Sequence, residues 1–473
     1  MRLSSCLLIA SLSGVHAFYP WELRVELGTV EPIQRRFMPW SLVEAKIDNT
    51  DTKPPTLDLK KLPVRRDDTY KIVEAYTPSM ADSAPLNQDG TDYSYFSPVL
   101  VGSQKTEMWL ALDTGAPNTW VFDSECTEAV CTQHHTFDRS ASSSYVSNSS
   151  TFSLGYGSGT VVGQMGTDTL SIAGIDVSLE FGQANNASDT FKSYPFDGIL
   201  GLGRSHTAGW NLPSFMDRVA ESGHLKNNFI GFSLSRAADD AKDGAVNFGV
   251  LDTTKYDGSI KYTATDSDIW NIPLDDAYVN GQACKLSGKS ATIDTGTTYI
   301  LIPPDDAAVV FGLIPGSSAS GSNYMIPCNT NATLEFEFSG VKYSVSPKDY
   351  VGKPTASGSD SCISTIVSYA SNGTDTWLVG DVFLKNVYTV FDYDNAQIGF
   401  GSLASGSTEG NGTYTAPPTS PTAAAAASSA SEAAAVSTAS SAAISTVSGS
   451  SATQLTRGIS WSMFTVILGA FFV

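Results

Sequence analysis

Ala111-Leu112-Asp113-Thr114-Gly115 is matched 181 residues later (294 − 113) by Thr292-Ile293-Asp294-Thr295-Gly296. In both stretches an apolar residue precedes the aspartate, threonine and glycine follow it, and a β-rich run comes next: Thr119 to Phe122 in one, Thr297 to Ile302 in the other. The pattern predicts strand, sharp turn, strand, with the carboxylate at the bend and the glycine permitting the turn. A single Asp-Thr-Gly carries little weight, since Asp252-Thr253-Thr254 after Val250-Leu251 is already a partial match. A second repeat at a matching offset carries more. Phe196-Asp197-Gly198-Ile199-Leu200-Gly201 ends 88 residues after Asp113 (201 − 113), and Trp377-Leu378-Val379-Gly380 ends 86 after Asp294 (380 − 294). Two unlike motifs repeated at one offset make the two carboxylates a pair.

Over about residues 90 to 402, this arrangement resembles the pepsin-like aspartic proteases. The resemblance implies an all-β, bilobal fold with pseudo-two-fold related lobes and a few short helices. Each lobe would give one Asp-Thr-Gly loop and one apolar-apolar-Gly strand crossing beneath it. It implies that Asp113 and Asp294 are catalytic and that Thr114, Gly115, Thr295, Gly296 and Thr297 support their loops. Elementary chemistry agrees: two carboxylates within hydrogen-bond distance cannot both ionise and so share a proton. The ionised member can take a proton from water while the other polarises a carbonyl, hydrolysing a peptide bond with neither metal nor cofactor. Glycosidases also use two carboxylates, but nothing in that class predicts this repeated loop.

The 473 residues, 41% of them hydrophobic, are enough for two lobes with a core in each. Residues 1–17 carry Arg2, an apolar run through Leu7-Leu8-Ile9-Ala10 and a small-residue end, Val15-His16-Ala17, as in a secretory signal peptide. From Phe18 to Arg66 there are nine Lys+Arg against seven Asp+Glu, net +2; from Asp67 to Ala404 there are 17 against 39, net −22. A basic segment before an acidic one, joined at Lys60-Lys61 and Arg65-Arg66, reads as an inhibitory propeptide, 18–66, removed at a dibasic site. An ordinary N-terminal extension and cleavage at Arg35-Arg36 stay open as alternatives. Protein or peptide substrates are expected, and no nucleic acid.

The first lobe, expected over 67–265, opens with short β runs at Tyr93 to Phe96 and Val99 to Gly102. Cys126 and Cys131 close a small loop, and in a secreted chain a disulfide is the default. His134-His135 follow, but the Cys-x4-Cys-x2-His-His spacing is not a usual zinc pattern and no metal site is assigned. The Gly-dense stretch Leu154-Gly155-Tyr156-Gly157-Ser158-Gly159-Thr160, with Gly163 and Gly166 beyond, predicts a hairpin whose glycines free the tip as a mobile lid. It looks like the family's flap, which would give Tyr156, Gly157 and Ser158 to substrate, and Trp120 matches the tryptophan that backs the flap tyrosine. Asn211 to Glu221 reads as a helix, with Leu212, Phe215, Met216 and Val219 on one face, Pro213 in the first turn and Gly223 past the end.

The second lobe, expected over 266–403, lacks a second Gly-rich flap. Cys328 and Cys362 match the family's long C-terminal disulfide; Cys284 has no partner for the short-loop disulfide many relatives carry, and reads as a buried thiol, with intermolecular pairing as the alternative. Relatives usually place Ser or Thr directly after each Asp-Thr-Gly; Thr297 keeps that hydroxyl and Ala116 lacks it. The Asp113 side should therefore ionise less readily, with the acid limb of the activity profile displaced upward; a backbone amide or a water in the hydroxyl's place is the alternative.

Residues 404–450 are a Ser/Thr/Ala-rich stalk, and 451–473 lead into an apolar tail, Ile459 to Val473, in the layout of a glycosylphosphatidylinositol (GPI) attachment signal. A retained membrane anchor is the alternative. Asn148, Asn186, Asn331, Asn372 and Asn411 begin N-glycosylation sequons. The sequence thus predicts a monomeric, secreted, lipid-anchored aspartic endopeptidase, similar to fungal yapsin-like enzymes, made as a zymogen and active at acidic pH. A catalytically inactive surface binding protein on the same scaffold is the competing reading, disfavoured by the presence of both aspartates and Tyr156.

Overall fold

The computed structural model describes residues 70–157, 159–204, 210 and 212–404. The expected signal peptide (1–17) and propeptide (18–66), the stalk beyond residue 404, the GPI signal, Ser158 and Asn411 lie outside them. Among the described residues no helix is long and apolar enough to cross a membrane.

The fold is mostly β and bilobal, and the repeat seen in the sequence is a repeat of strand order. In the first half Tyr95–Val101 runs antiparallel to Thr106–Asp113, which lies parallel to Gly198–Gly201. Gly198–Gly201 is antiparallel to Trp120–Phe122, and that strand is parallel to Ile175–Ala187. The second half repeats each sense in turn: Asn271–Leu274 antiparallel to Lys289–Ile293, then parallel to Thr376–Val379, antiparallel to Ile300–Ile302, parallel to Ile366–Ser368. Strands with parallel partners are buried on both faces, which is why Met108 to Leu112 and Trp377 to Val379 read as unbroken apolar runs.

A six-stranded sheet joins the halves. In it Phe229–Ser233 lies between Ala245–Phe248 and Val387–Asp392, with Gln397–Leu403 and Tyr256–Ala264 beyond. Trp270, fully buried, donates its indole N–H to Leu202 O across the two halves (3.2 Å).

The Gly-rich stretch is the end of a long hairpin, Val146–Tyr156 with Gly159–Ile172, in which Tyr156 stands opposite Gly159. Its glycines differ in purpose from the expectation. Gly159 has a positive φ of 138°, a conformation that L side chains rarely adopt, and a Cβ there would lie 2.5 Å from Ser188 Cβ. Gly163 and Gly166 are instead packing positions: an added Cβ would lie 1.9 Å from Gln183 O and 2.3 Å from the Tyr145 hydroxyl.

The expected helix begins later than read. Phe215–Ser222 is helical, with Pro213 ahead of it and Gly223 at φ 67° closing it. Ser214 sets the start, because its hydroxyl accepts from Asp217 N–H while the Asp217 carboxylate accepts from Ser214 N–H (2.7 Å), the reciprocal box that terminates a helix at its first turn. Cys126–Cys131 and Cys328–Cys362 are disulfides and Cys284 is a buried free thiol. Burial, with the charges of Asp276 and Asp306, pushes that thiol up to about 12, so it stays protonated and unreactive. Asn186, Asn331 and Asn372 are exposed, whereas Asn148 is half-buried and its amide donates to Glu180.

Candidate active site

Asp113 is the last residue of its strand and Asp294 directly follows Lys289–Ile293, so the two parallel pairings carry the carboxylates to the ends of matching strands. Their loops are tied reciprocally. Thr114 Oγ1 donates to Ile293 O (3.1 Å) and accepts from Thr295 N–H (3.0 Å); Thr295 Oγ1 donates to Leu112 O (2.5 Å) and accepts from Thr114 N–H (3.1 Å). Each threonine thus satisfies backbone groups of the opposite loop that would otherwise be buried unpaired.

Gly115 and Gly296 are not where glycine allows a left-handed backbone, since neither has a positive φ. They are needed because the opposing carboxylate occupies the space of a side chain. A Cβ on Gly115 would lie 2.6 Å from Asp294 Cγ, and one on Gly296 would lie 2.5 Å from Asp113 Oδ1. The turn reading of these glycines is therefore replaced by a close-approach reading, and the same distances place each carboxylate against the other's loop.

The two acids are fully buried but not equivalent. Gly115 N–H donates to Asp113 Oδ1 and Gly296 N–H to Asp294 Oδ1, both at 2.8 Å. Asp294 Oδ2 also accepts from Thr297 Oγ1 at 2.6 Å, whereas the charged form of Asp113 is favoured by the Gly115 and Ala116 amides and by no hydroxyl among the described residues. Burial first, and then the charge of Asp294, raise Asp113 well above the ordinary carboxylate range. Burial also raises Asp294, against the Thr297 hydroxyl, the Gly296 amide and a hydrogen bond with Asp113. The Thr297 hydroxyl, which has no counterpart at Asp113, favours the charge on Asp294 and the shared proton on Asp113.

Tyr156 accepts a hydrogen bond from Trp120 Nε1 at 2.9 Å, and both side chains are buried. Trp120 is thus both a core aromatic and the donor that holds the Tyr156 hydroxyl. Phe191 closes the third side of this wall, edge-on to Trp120 (5.7 Å) and to Tyr156 (6.1 Å).

With the loops, the acid pair and the tyrosine in place, residues 94–403 match the family model for eukaryotic aspartyl protease. The chain belongs to this family. It is 51% identical over 440 residues, 90% of each chain, to the aspartic-type endopeptidase ctsD of Aspergillus fumigatus. It is 34% identical to major aspartyl peptidase 1 of Cryptococcus neoformans, over 68% of this chain and 71% of that one. Gastricsin of Callithrix jacchus is 32% identical over 67% of this chain and 83% of its own.

Two charged clusters of this aspartyl protease escaped the sequence reading. Asp197, within the crossing motif, accepts from Trp109 N–H and His135 N–H, both at 2.8 Å, and lies 3.0 Å from His135 Nδ1. The neighbouring His134 stacks on Phe122 and places Nε2 3.2 Å from Phe191 O, so the histidine pair braces the wall behind Tyr156. Farther off, buried Arg236 grips Asp349 (2.9 to 3.0 Å) and donates to Lys385 O and Asn386 Oδ1. Burial pushes Asp349 up, but Lys385 and Arg236 outweigh it and hold the carboxyl below its ordinary range.

Proposed function

We propose that this protein is an aspartic endopeptidase that hydrolyses peptide bonds through water activated by Asp294 while Asp113 protonates the scissile carbonyl. The observation that carries the reading is the unequal pair: two buried carboxylates packed against each other's loops, of which Asp294 accepts from both the Gly296 amide and the Thr297 hydroxyl while Asp113 has no hydroxyl donor among the described residues. An acid and a base presented together meet the needs of attack on an amide without a covalent intermediate. Thr114, Gly115, Thr295 and Gly296 set their separation, and Tyr156, Gly157 and Ser158 cover the substrate with Trp120 behind them. The fungal relatives, an aspartic-type endopeptidase and an aspartyl peptidase by name, support this activity.

The chain is made as a zymogen, on this reading, with residues 18–66 removed after Arg65-Arg66, and is secreted as a monomeric glycoprotein held at the cell surface by a GPI anchor, as in yapsin-like enzymes. The charge contrast between 18–66 and 67–404, the exposed sequon asparagines and the tail composition support it. The test is digestion of a peptide library at acidic pH by secreted full-length product, with its N-terminus sequenced and its release by phosphatidylinositol-specific phospholipase C measured. Cut bonds, a start between Leu62 and Thr69 and release by the lipase are expected. No cleavage by correctly processed protein would favour the binding-protein reading; a fully active form starting at Phe18 would remove the propeptide; failure of the lipase would remove the anchor.

The pair's asymmetry also moves the expected effect of Ala116. Read from sequence, a missing hydroxyl raises the acid limb; with Asp294 as the ionised partner, the acid limb belongs chiefly to Asp294, and Ala116 bears on proton retention by Asp113. Ala116→Ser adds a donor to Asp113, lowers its affinity for the proton, and should bring the alkaline limb of kcat against pH to lower pH while the acid limb moves less. An alkaline limb that stays in place or rises in the serine variant would contradict this assignment of the proton.

A further inference from the structure

We propose that residues 70–76 form a strap that positions the flap tyrosine, with Tyr70 and Ile72 acting as positioning residues through Phe191. The inference rests on the endopeptidase reading for its kinetic consequence only. Val73 and Gln88 exchange backbone hydrogen bonds (2.9 and 3.1 Å), Ala75 N–H donates to Asn87 Oδ1 (2.9 Å), and Tyr76 N–H donates to Lys242 O (2.8 Å). Gly90, at φ 78°, leaves room for the strap: a Cβ there would lie 2.1 Å from Lys71 O. From this anchored base the other end reaches the flap wall. The Tyr70 hydroxyl donates to Lys192 O, in the 3-10 turn Asp189–Ser193 that carries Phe191. Ile72 packs on the apolar cluster containing Trp120, Tyr156 and Phe191.

The path is short and each step is a contact: Tyr70 to the backbone of the 3-10 turn, Phe191 edge-on to both Trp120 and Tyr156, Trp120 to the Tyr156 hydroxyl. The same turn abuts the base of the flap, because Ser188 Oγ accepts from Thr160 N–H and Ser188 N–H donates to Thr160 O, both at 2.9 Å. Burial and the charge of Asp197 push the Tyr70 phenol up to about 12, so it remains a donor over the working pH range. Loss of that donor frees the turn, and a tyrosine held less well pre-orders substrate less well, which is felt in KM before kcat.

The test uses Tyr70→Phe and Ile72→Ala in the full chain, each assayed on a fluorogenic peptide with active sites counted by a tight-binding statine peptide. Per active site, Tyr70→Phe should raise KM roughly three- to tenfold, the span expected for one hydrogen bond, with kcat and the limbs of its pH profile little changed. A strap that merely stabilises the fold would lower the number of active sites and leave KM per site unaltered. Hydrogen exchange of the amides from Gly155 to Val161 reads the flap without turnover and should quicken in both variants. Unaltered KM together with unaltered exchange overturns the strap; wild-type protein that cuts no peptide overturns the endopeptidase reading, and the exchange rates still decide the strap.

Discussion

Asp113→Asn and Asp294→Asn are each expected to lower kcat by roughly 10³- to 10⁴-fold, the scale of losing one general acid–base partner, while secretion and thermal midpoint change little. The reason lies in how the two carboxyls divide the work. With Asp294 as asparagine, no group remains to take the proton from water, and the Thr297 hydroxyl that held the charge faces a neutral amide. With Asp113 as asparagine, the buried proton that would polarise the carbonyl is gone, and an amide N–H, which is not transferred to the carbonyl, takes its place beside Asp294. The double variant should be scarcely worse than either single one, because the pair acts as a unit. Peptide hydrolysis by purified variants checks this, and a loss of only a few-fold in either would remove the paired-carboxylate mechanism.

Gly296→Ala and Gly115→Ala are expected to cost about a hundredfold or more in kcat, since displacement of a reacting group by about 1 Å is enough for that loss. The methyl group would enter within 2.5 Å of Asp113 Oδ1 in one case and 2.6 Å of Asp294 Cγ in the other, so the carboxylate must swing away from its partner. The stability cost should be about 1–3 kcal/mol, as for other overpacked sites. Gly312→Ala is the control: its Cβ would meet nothing within 4 Å and its φ is not positive, so activity and thermal midpoint should stay as in the parent. Near-parental turnover in both active-site variants would show that the carboxylates can separate without penalty, against the packing seen here.

The duplicated Asp-Thr-Gly and its partner strand were legible because the information is consecutive. Apolar runs, threonines and glycines at one offset specify two copies of one local structure, and the parallel pairings Asp113 with Gly201 and Ile293 with Val379 follow the repeat. Tyr156 stood out as the one aromatic of a Gly-dense hairpin, and Trp120 could be marked only through family resemblance; that Trp120 donates to Tyr156 is a fact of three dimensions. The glycines show the boundary most plainly. Read along the chain, Gly115, Gly296, Gly163 and Gly166 are flexible links; in the folded protein each is a place where another strand, ring or carboxylate passes. Arg236 meets Asp349 across 113 residues and Lys385 O across 149, and Tyr70 meets Lys192 across 122, with no periodicity to announce them. By itself the sequence determined the two halves, the paired aspartates and the class of chemistry, because backbone preference and burial are written in neighbouring residues. Which aspartate receives a hydroxyl donor, what packs behind Tyr156 and why glycine is required beside each carboxylate were decided by tertiary structure, because hydrogen bonds and excluded volume depend on which distant segments the stacked sheets bring into contact.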